Sequence, residues 1–324
     1  MFPKSLEKNK KLMTYSIISK FSWDEWDDLV NNSNQYNLFN TSYFLKLTNS
    51  KNCYLIKYKN QIIAGVNVND ENSKDGLNFF YQGLILRKDF QKQKNHKFYK
   101  KYHELCNFLI DCLISKYEKF NLSFHYNLND IRPFDWHEFN TQKKRFKIDI
   151  RYTGILDLNK YSDFSHFLND IRPVRRQEEK KIVEEFSIVE EKDVRNLDVL
   201  HNKTFLRQNK KRSKDEIKIV NNIIPELIQN NYGRLITIKL KNNSLPVASS
   251  FFLYDKKDAY NLVLATDPNY RKFFFGTKIL FNQIQELFKK KFKKLDFVGV
   301  NSPNRGDYKL SFNPDLKIYF KVGY

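Results

Sequence analysis

The sequence predicts an α/β protein of two tandem modules, each a mixed and mostly antiparallel sheet flanked by helices. Three observations carry that expectation. Strand and helix signals run in the same order, β-α-α-β-β-β-α-β-α-β, through both halves of the 324-residue chain. A Ser-x-x-Glu capping box opens a helix in each half, at Ser22-Trp-Asp-Glu25 and again at Ser213-Lys-Asp-Glu216. The length exceeds what one ordinary core organises, which allows one large domain or two of roughly 150 residues each, and hydrophobic residues at 41% with aromatics at 16% argue against disorder. The boundary is placed between residues 147 and 148, with a helical insert over 161–185 in the second module.

In the first half an apolar stretch at Tyr15 to Ile18 precedes the capped helix, which runs through Val30, and a second short helix covers Tyr43 to Leu47. Strands follow at Tyr54 to Tyr58, Ile62 to Val68 and Leu77 to Leu86; the first two are separated only by Lys59-Asn60-Gln61, as in a hairpin. Phe98, Tyr102, Leu105, Leu109, Cys112 and Leu113 then recur at helical spacing. A strand at Leu122 to Tyr126, a short element around Pro133 to Phe139 and a strand at Phe146 to Leu156 close the half.

In the second half a strand at Phe186 to Val189 leads to a helix begun by Asp193 and to the second capped helix. Strands at Arg234 to Leu240, Val247 to Tyr254 and Ala259 to Ala265 are joined by polar turns. Ile279, Leu280, Ile284, Leu287 and Phe288 mark one face of a helix, followed by a strand at Leu295 to Val298, a short helix and a last strand at Ile318 to Val322.

The formal net charge is +20, which taken alone suggests an anionic partner such as nucleic acid, a phosphorylated cofactor or a membrane surface. The chain is also heavy in Asn, Ile, Phe and Tyr, and 44 of its 57 basic residues are Lys, a bias that fits a solvated lysine surface. The thirteen Arg are therefore the informative cations, each placed where a planar fork has not drifted to Lys. Three Cys without a CxxC and six His without HExxH indicate neither disulfides nor a metal site. No apolar run approaches a membrane span and the N-terminus lacks a secretory pattern, so a cytoplasmic location is expected, with peripheral membrane contact allowed.

Several constellations suggest chemistry. Asp267 to Lys278 joins a strand end to a helix start, where Arg271, Gly276 and the first-turn amides would hold a phosphate. After the penultimate predicted strand, Asp296, Asn301, Ser302, Asn304, Arg305, Asp307 and Lys309 crowd a strand-to-helix loop. Arg172, Arg175 and Arg176 fall within five positions, a density suited to phosphate or carboxylate, or else to ion pairing with Glu178, Glu179, Glu184 or Glu185 on the same helix. Arg132-Pro-Phe-Asp-Trp136 has a similar look in the first half, and His201, Phe205 and Gln208 share one helical face.

These motifs coincide with a family. Arg151-Tyr152, Arg172…Arg176, Asn202 to Gln208, Tyr270-Arg271…Gly276 and Leu295 to Phe312 resemble the FemAB-like branch of the Gcn5-related N-acetyltransferase (GNAT) superfamily, a branch built of tandem GNAT-like modules. The resemblance covers most of residues 148–324 and is topological before them. It implies an acyltransferase that forms an amide between an acyl donor, acyl-CoA by first choice and aminoacyl-tRNA by second, and an amine on a cell-surface sugar, nucleotide-sugar or cell-wall precursor. No permanent cofactor is implied. Lys309, in an Arg-x-x-x-Lys-x-x-Phe pattern matched by Arg305, Lys309 and Phe312, would lie beside the transferred acyl group, with Asp296 and Arg305 assisting. Arg271, Gly276 and Thr277 would bind the donor, although Thr277-Lys278 departs from the small residues of acyl-CoA loops. Arg132, Trp136, Arg172, Arg175, Arg176, Gln208, Asn301 and Ser302 would face the substrate. A non-catalytic reader of RNA or polysaccharide is the alternative from another class.

Overall fold

A computed structural model describes residues 15–72, 77, 79–181, 185–256 and 258–324. The chain divides into two units, Met1–Arg151 together with Ile318–Tyr324, and Tyr152–Lys317.

The first unit contains β1 (Tyr15–Ile18), α1 (Trp23–Asn31), α2 (Ser42–Leu47), β2 (Cys53–Tyr58), β3 (Gln61–Asn67), β4 (Asn69–Asp70), β5 (Leu84–Leu86), α3 (Lys88–Gln91), α4 (Asn95–Lys116), β6 (Phe120–Ser123), α5 (Arg132–Asp135) and the start of β7 (Lys147–Asp157). The capping box at α1 is formed, Ser22 Oγ accepting from the Glu25 amide at 3.1 Å and the Glu25 carboxylate from the Ser22 amide at 2.9 Å. Trp26, Leu29 and Val30 then share a face and pack on Cys53, Leu55 and Ile85. Strand alternation sends Tyr54, Ile56, Leu84 and Leu86 to the opposite face, under Tyr102, Leu105 and Leu109 of α4. The antiparallel order is β1-β2-β3-β5. Its hairpin pairs Tyr58 with Gln61, leaving Lys59 and Asn60 at φ 46° and 67° as a two-residue turn of the primed kind. The strand expected from Leu77 is shorter, because Tyr81 takes a left-handed φ of 62° and breaks the extended run before Leu84; residue 78 of that segment lies outside the described residues.

The second unit adds α6 (Phe164–Asp170), α7 (Pro173–Lys180), β8 (Phe186–Glu191), α8 (Arg195–Leu206), α9 (Lys214–Lys218), a π-helical turn at Ile219–Ile223, α10 (Ile224–Gln229), β9 (Gly233–Leu240), β10 (Pro246–Asp255), β11 (Asp258–Thr266), α11 (Phe275–Lys289), β12 (Lys294–Asp296), α12 (Pro303–Leu310) and β13 (Asp315–Gly323). Its strands lie in the order β7-β12-β11-β10-β9-β8, antiparallel except for β11 beside β12. Leu280, Phe281, Ile284 and Leu287 of α11 bury against Leu156, Phe252, Ala259 and Leu295. Helix α8, carrying the buried Leu197 and Leu200, also packs on β10 and β11.

One pairing departs from the expected modules. Strand β6 closes against the end of β13, Leu122 opposite Val322, while β12 closes against β7, Leu295 opposite Leu156. The two halves have exchanged their last strands. The expected order closed the first half with the strand at Phe146 to Leu156 and the second with that at Ile318 to Val322; in the structure, residues 152–157 complete the second unit and Ile318–Tyr324 the first.

Candidate active site

The second unit opens a wedge in its sheet. β11 and β12 pair over only three residues, ending at Tyr260 opposite Asp296. Beyond that point β11 stays on β10, whereas the chain after β12 follows β7, the Phe297 and Val300 amides donating to Gly154 and Tyr152 carbonyls at 3.0 and 2.9 Å. Val298 and Gly299 turn through φ 49° and 89°, the second a value that suits glycine. Asn261, where the strands part, is buried with neither end of its amide hydrogen-bonded among the described residues. Ser250, buried on the adjacent strand, has an unpartnered hydroxyl too.

The loop is braced from two sides. Asp296 Oδ1 accepts from the Thr153 hydroxyl and, at 2.8 Å, from the Val298 amide, while Thr153 Oγ1 accepts from the Gly299 amide at 3.2 Å. From α12 the half-buried Lys309 donates to the Phe297 carbonyl and, at 3.0 Å, to that of Gly299. Burial foremost, then the Arg305 charge one helical turn away, lowers the Lys309 pKa to about 8, with Asp296 opposing.

Arginines gather here from three elements. Arg207 follows α8, which is anchored at the end of β11 by the Lys203 to Asp267 ion pair at 2.7 Å; Arg271 lies in the 3₁₀ turn Pro268–Phe273, and Arg305 in the first turn of α12. The Arg207 pKa is lowered by desolvation first and then by the Arg271 and Arg305 charges, so its guanidinium feels both of the others. None of the three has an ion pair or side-chain hydrogen bond among the described residues, whereas every other arginine of this unit is partnered. His201 on α8 completes the surroundings: burial first, then Arg212, lowers its pKa to about 4, and its buried Nδ1 has no hydrogen-bond partner among the described residues.

The start of α11 is occupied by the protein itself. Thr277 Oγ1 donates to the buried Glu178 carboxylate of α7 at 2.6 Å, Arg175 pairs with that carboxylate, and the Tyr308 hydroxyl lies 3.4 Å from Thr277 Oγ1. Gly276 faces this closure, since a Cβ there would meet Thr266 Cγ2 at 3.2 Å and the Tyr308 hydroxyl at 3.9 Å.

Residues 161–320 match the FemAB family. Among solved structures, FemX aligns over 94% of this chain and 96% of its own length, with a TM-score of 0.63 at 10% identity. The GCN5-related glucosamine N-acetyltransferase region of a fungal multi-domain GH3 β-N-acetylglucosaminidase aligns over 96% of this chain and 38% of its own, with a TM-score of 0.50 at 12% identity. The chain is FemAB-like, with the GNAT fold. No curated protein matches its sequence. A FemAB-like chain is an acyltransferase, and no helix among the described residues is long and apolar enough to cross a membrane.

In this FemAB-like chain Arg271, Arg305, Asp296 and Lys309 fall around one wedge. Other expected site residues have structural partners. Arg172 forms a two-pronged pair with Asp307 at 3.0 Å per bond, Arg175 is held by Glu178 and Ser311, and Arg176 donates to the Leu168, Asn169 and Ile171 carbonyls at the end of α6. The expectation that one of these three faces a substrate therefore meets no unpaired guanidinium; they brace α6 and α7 against α12 and α11. Asn301 prolongs the β7 ladder through both atoms of its amide, bonded to the Tyr152 amide and carbonyl at 2.7 and 3.1 Å. Ser302 precedes α12 with its side chain making no cap, and Gln208 donates back to the Thr204 carbonyl at 3.1 Å. Gly276 and Thr277 sit under Glu178 instead of an open cradle. Arg132 and Trp136 lie in the first unit, with Arg132 paired to Asp130 at 2.7 Å. Among residues with no role assigned from the sequence, Arg207 and Thr153 stand out, while Glu178 pairs with Arg175 as the ion-pairing alternative allowed. Retention of Arg in a Lys-rich chain is the signal that marks Arg207; Thr153 carries none of its own.

Proposed function

We propose that this chain forms an amide by moving an acyl group from an ester on a tRNA-type carrier to an amine on a phosphate-bearing sugar, nucleotide-sugar or cell-wall precursor. The observation that carries this reading is the meeting of three unpaired arginines, Arg207, Arg271 and Arg305, beside Lys309 at the mouth of the wedge. Arginine forks without internal carboxylates suit a phosphate on the substrate. The choice of donor rests on Glu178, whose carboxylate lies where the phosphates of an acyl-CoA would be expected, at the first turn of α11. An ester carried on tRNA does not need that turn.

The chemistry asks little of side chains beyond position and charge. A neutral amine attacks the ester carbonyl carbon; a C–N bond forms as the carbonyl π pair moves to oxygen; the intermediate then expels the carrier alkoxide, which takes up the proton lost by the amine nitrogen. An ammonium has three N–H donors, and two of those on Lys309 are spent on the Phe297 and Gly299 carbonyls. The third is the donor for the developing oxyanion, held at a fixed position before the substrate arrives. Asn261 offers a buried amide to the amide bond being made or to the carrier ester.

The experiment offers the protein labelled aminoacyl-tRNA and labelled acetyl-CoA in parallel with an amino-sugar nucleotide. Transfer from the tRNA ester alone is the expected result, and Lys309→Met should lower turnover by ~10²- to 10³-fold with little change in donor binding. Transfer from acetyl-CoA alone would overturn the donor assignment; a Met variant within a few-fold of wild type would overturn the role of Lys309.

A further inference from the structure

The Arg132 to Trp136 motif builds a surface of its own on the first unit. Tyr99 of α4, and Trp136 and Phe139 after α5, are 44%, 50% and 59% exposed, large aromatic rims turned to solvent on a chain that buries most of its aromatics. Their rings are nevertheless fixed. The Arg132 guanidinium lies 5.1 Å from the Tyr99 ring and 5.4 Å from that of Trp136, Arg145 lies 4.9 Å from Phe139, and the His103 ring is 5.8 Å from Trp136. Trp136 and Phe139 stand at the two ends of one turn, closed by the Phe139 amide on the Trp136 carbonyl at 3.1 Å. Alongside, residues 87–104 hold seven Lys and Arg against two Asp and Glu. Lys92, Lys94, Lys97 and Lys100 among them are exposed.

We propose that this face docks the protein on an anionic bilayer, with Trp136, Phe139 and Tyr99 entering the headgroup region and the α3–α4 lysines meeting acidic headgroups. Aromatic rings with one apolar edge and a polar or cationic neighbour favour that interfacial layer over both water and hydrocarbon. Clustered lysines beside them add attraction to a negative surface. Rigidity helps, because rings already fixed by Arg132 and Arg145 lose little freedom on insertion. RNA is a poorer match. Arg132 donates to Asp130 from Nε at 2.8 Å and from Nη2 at 2.7 Å, and Arg145 to the Asp135 carbonyl at 2.7 Å. These forks are taken, and a guanidinium already sits against each ring on which a base would stack. This inference does not rest on the donor or acceptor proposed above.

The test is co-sedimentation of the full-length protein with vesicles of phosphatidylcholine plus phosphatidylglycerol, beside vesicles of phosphatidylcholine alone. Trp136 also reports directly, since Trp26 is buried and Trp23 half-buried. Binding to the anionic vesicles, with a blue-shifted emission quenched by brominated acyl chains, is expected. The double variant Trp136→Ser, Phe139→Ser should bind at least about tenfold more weakly while keeping its circular dichroism, given the apolar area withdrawn from the interface. Replacing Lys97 and Lys100 by Gln should weaken binding to anionic vesicles only. No sedimentation at low salt, or a double variant that binds like wild type, would overturn the proposal. So would a double variant that loses affinity for tRNA while keeping that for vesicles, which would reassign the face to RNA.

Discussion

A lysine with two N–H groups committed to backbone carbonyls is a fixed charge, and at Lys309 that charge is held near its titration point. With a pKa of about 8, the ammonium that would steady an oxyanion is lost as pH rises, while the attacking amine becomes a better nucleophile. Turnover should therefore climb and then fall, and the falling limb near pH 8 is the part that belongs to Lys309. Measured kcat against pH should lose that limb in Lys309→Arg, which keeps its charge throughout the range. His201 titrates the other way round. It stays neutral in the folded protein down to about pH 4, whereas in the unfolded chain it takes a proton near its ordinary value of about 6.5. The unfolded state thus binds more protons between those values, and stability present above pH 6.5 is lost as pH falls toward 4. Urea midpoints of His201→Gln should fall less steeply across that window than those of wild type. The converging arginines should act through affinity: Arg207→Gln removes one charge-assisted contact, about 1.5–3 kcal/mol, and should raise the acceptor KM by ~10- to 100-fold with kcat nearly kept.

At the level of elements, α7 decides what the start of α11 does. Its Arg175–Glu178 pair is 14% and 8% exposed, whereas the Arg172–Asp307 pair at the same helix start is 45% and 62% exposed. Glu178→Ala leaves a guanidinium without its partner in a dry site and should cost about 3–5 kcal/mol in urea unfolding. Arg172→Ala should leave the midpoint unchanged. Thr277 and Lys278 of α11, bonded to Glu178 and to the Glu179 carbonyl, should lose hydrogen-exchange protection in the first variant only. These elements differ in how far the sequence foretells them. Ile279, Leu280, Ile284 and Leu287 announce the buried face of α11 by spacing, and Ser22 and Ser213 announce their helices by a local bond pattern. The density of Arg172, Arg175 and Arg176 is equally visible, and so is the neighbouring Glu178 that pairs with Arg175, yet Asp307 and Ser311 are not, because they come from α12, far along the chain. Spacing foretells a face, but a pairing partner brought in by the fold leaves no local mark. The same limit hides the unpaired state of Arg207, which is defined by neighbours it does not have.

For the whole molecule the exchanged strands matter most. A strand's alternation shows that it will be buried, and nothing in Ile318 to Val322 shows that its end will pair with Leu122 rather than beside Leu295. Deleting Ile318–Tyr324 removes the buried Tyr319 and Val322 from the first unit. Hydrogen exchange should accordingly accelerate in β6 and α4, remote in sequence from the deletion, more than in β12. Fragment 1–147 made alone lacks Ile318–Tyr324 and should unfold without a cooperative transition by circular dichroism, whereas fragment 148–324 keeps every strand of the second unit and should retain one. During synthesis this linkage becomes a matter of timing. The ribosome has passed residue 151 long before it reaches Ile318, and at 5–20 residues per second the interval is roughly 8–33 s. Through that time the nascent N-terminal sheet presents an unfilled strand position at β6, while the later-made unit already has β7 in hand. The part translated first is therefore the last to be finished, with its closing strand still being read from the message while the rest of that unit waits.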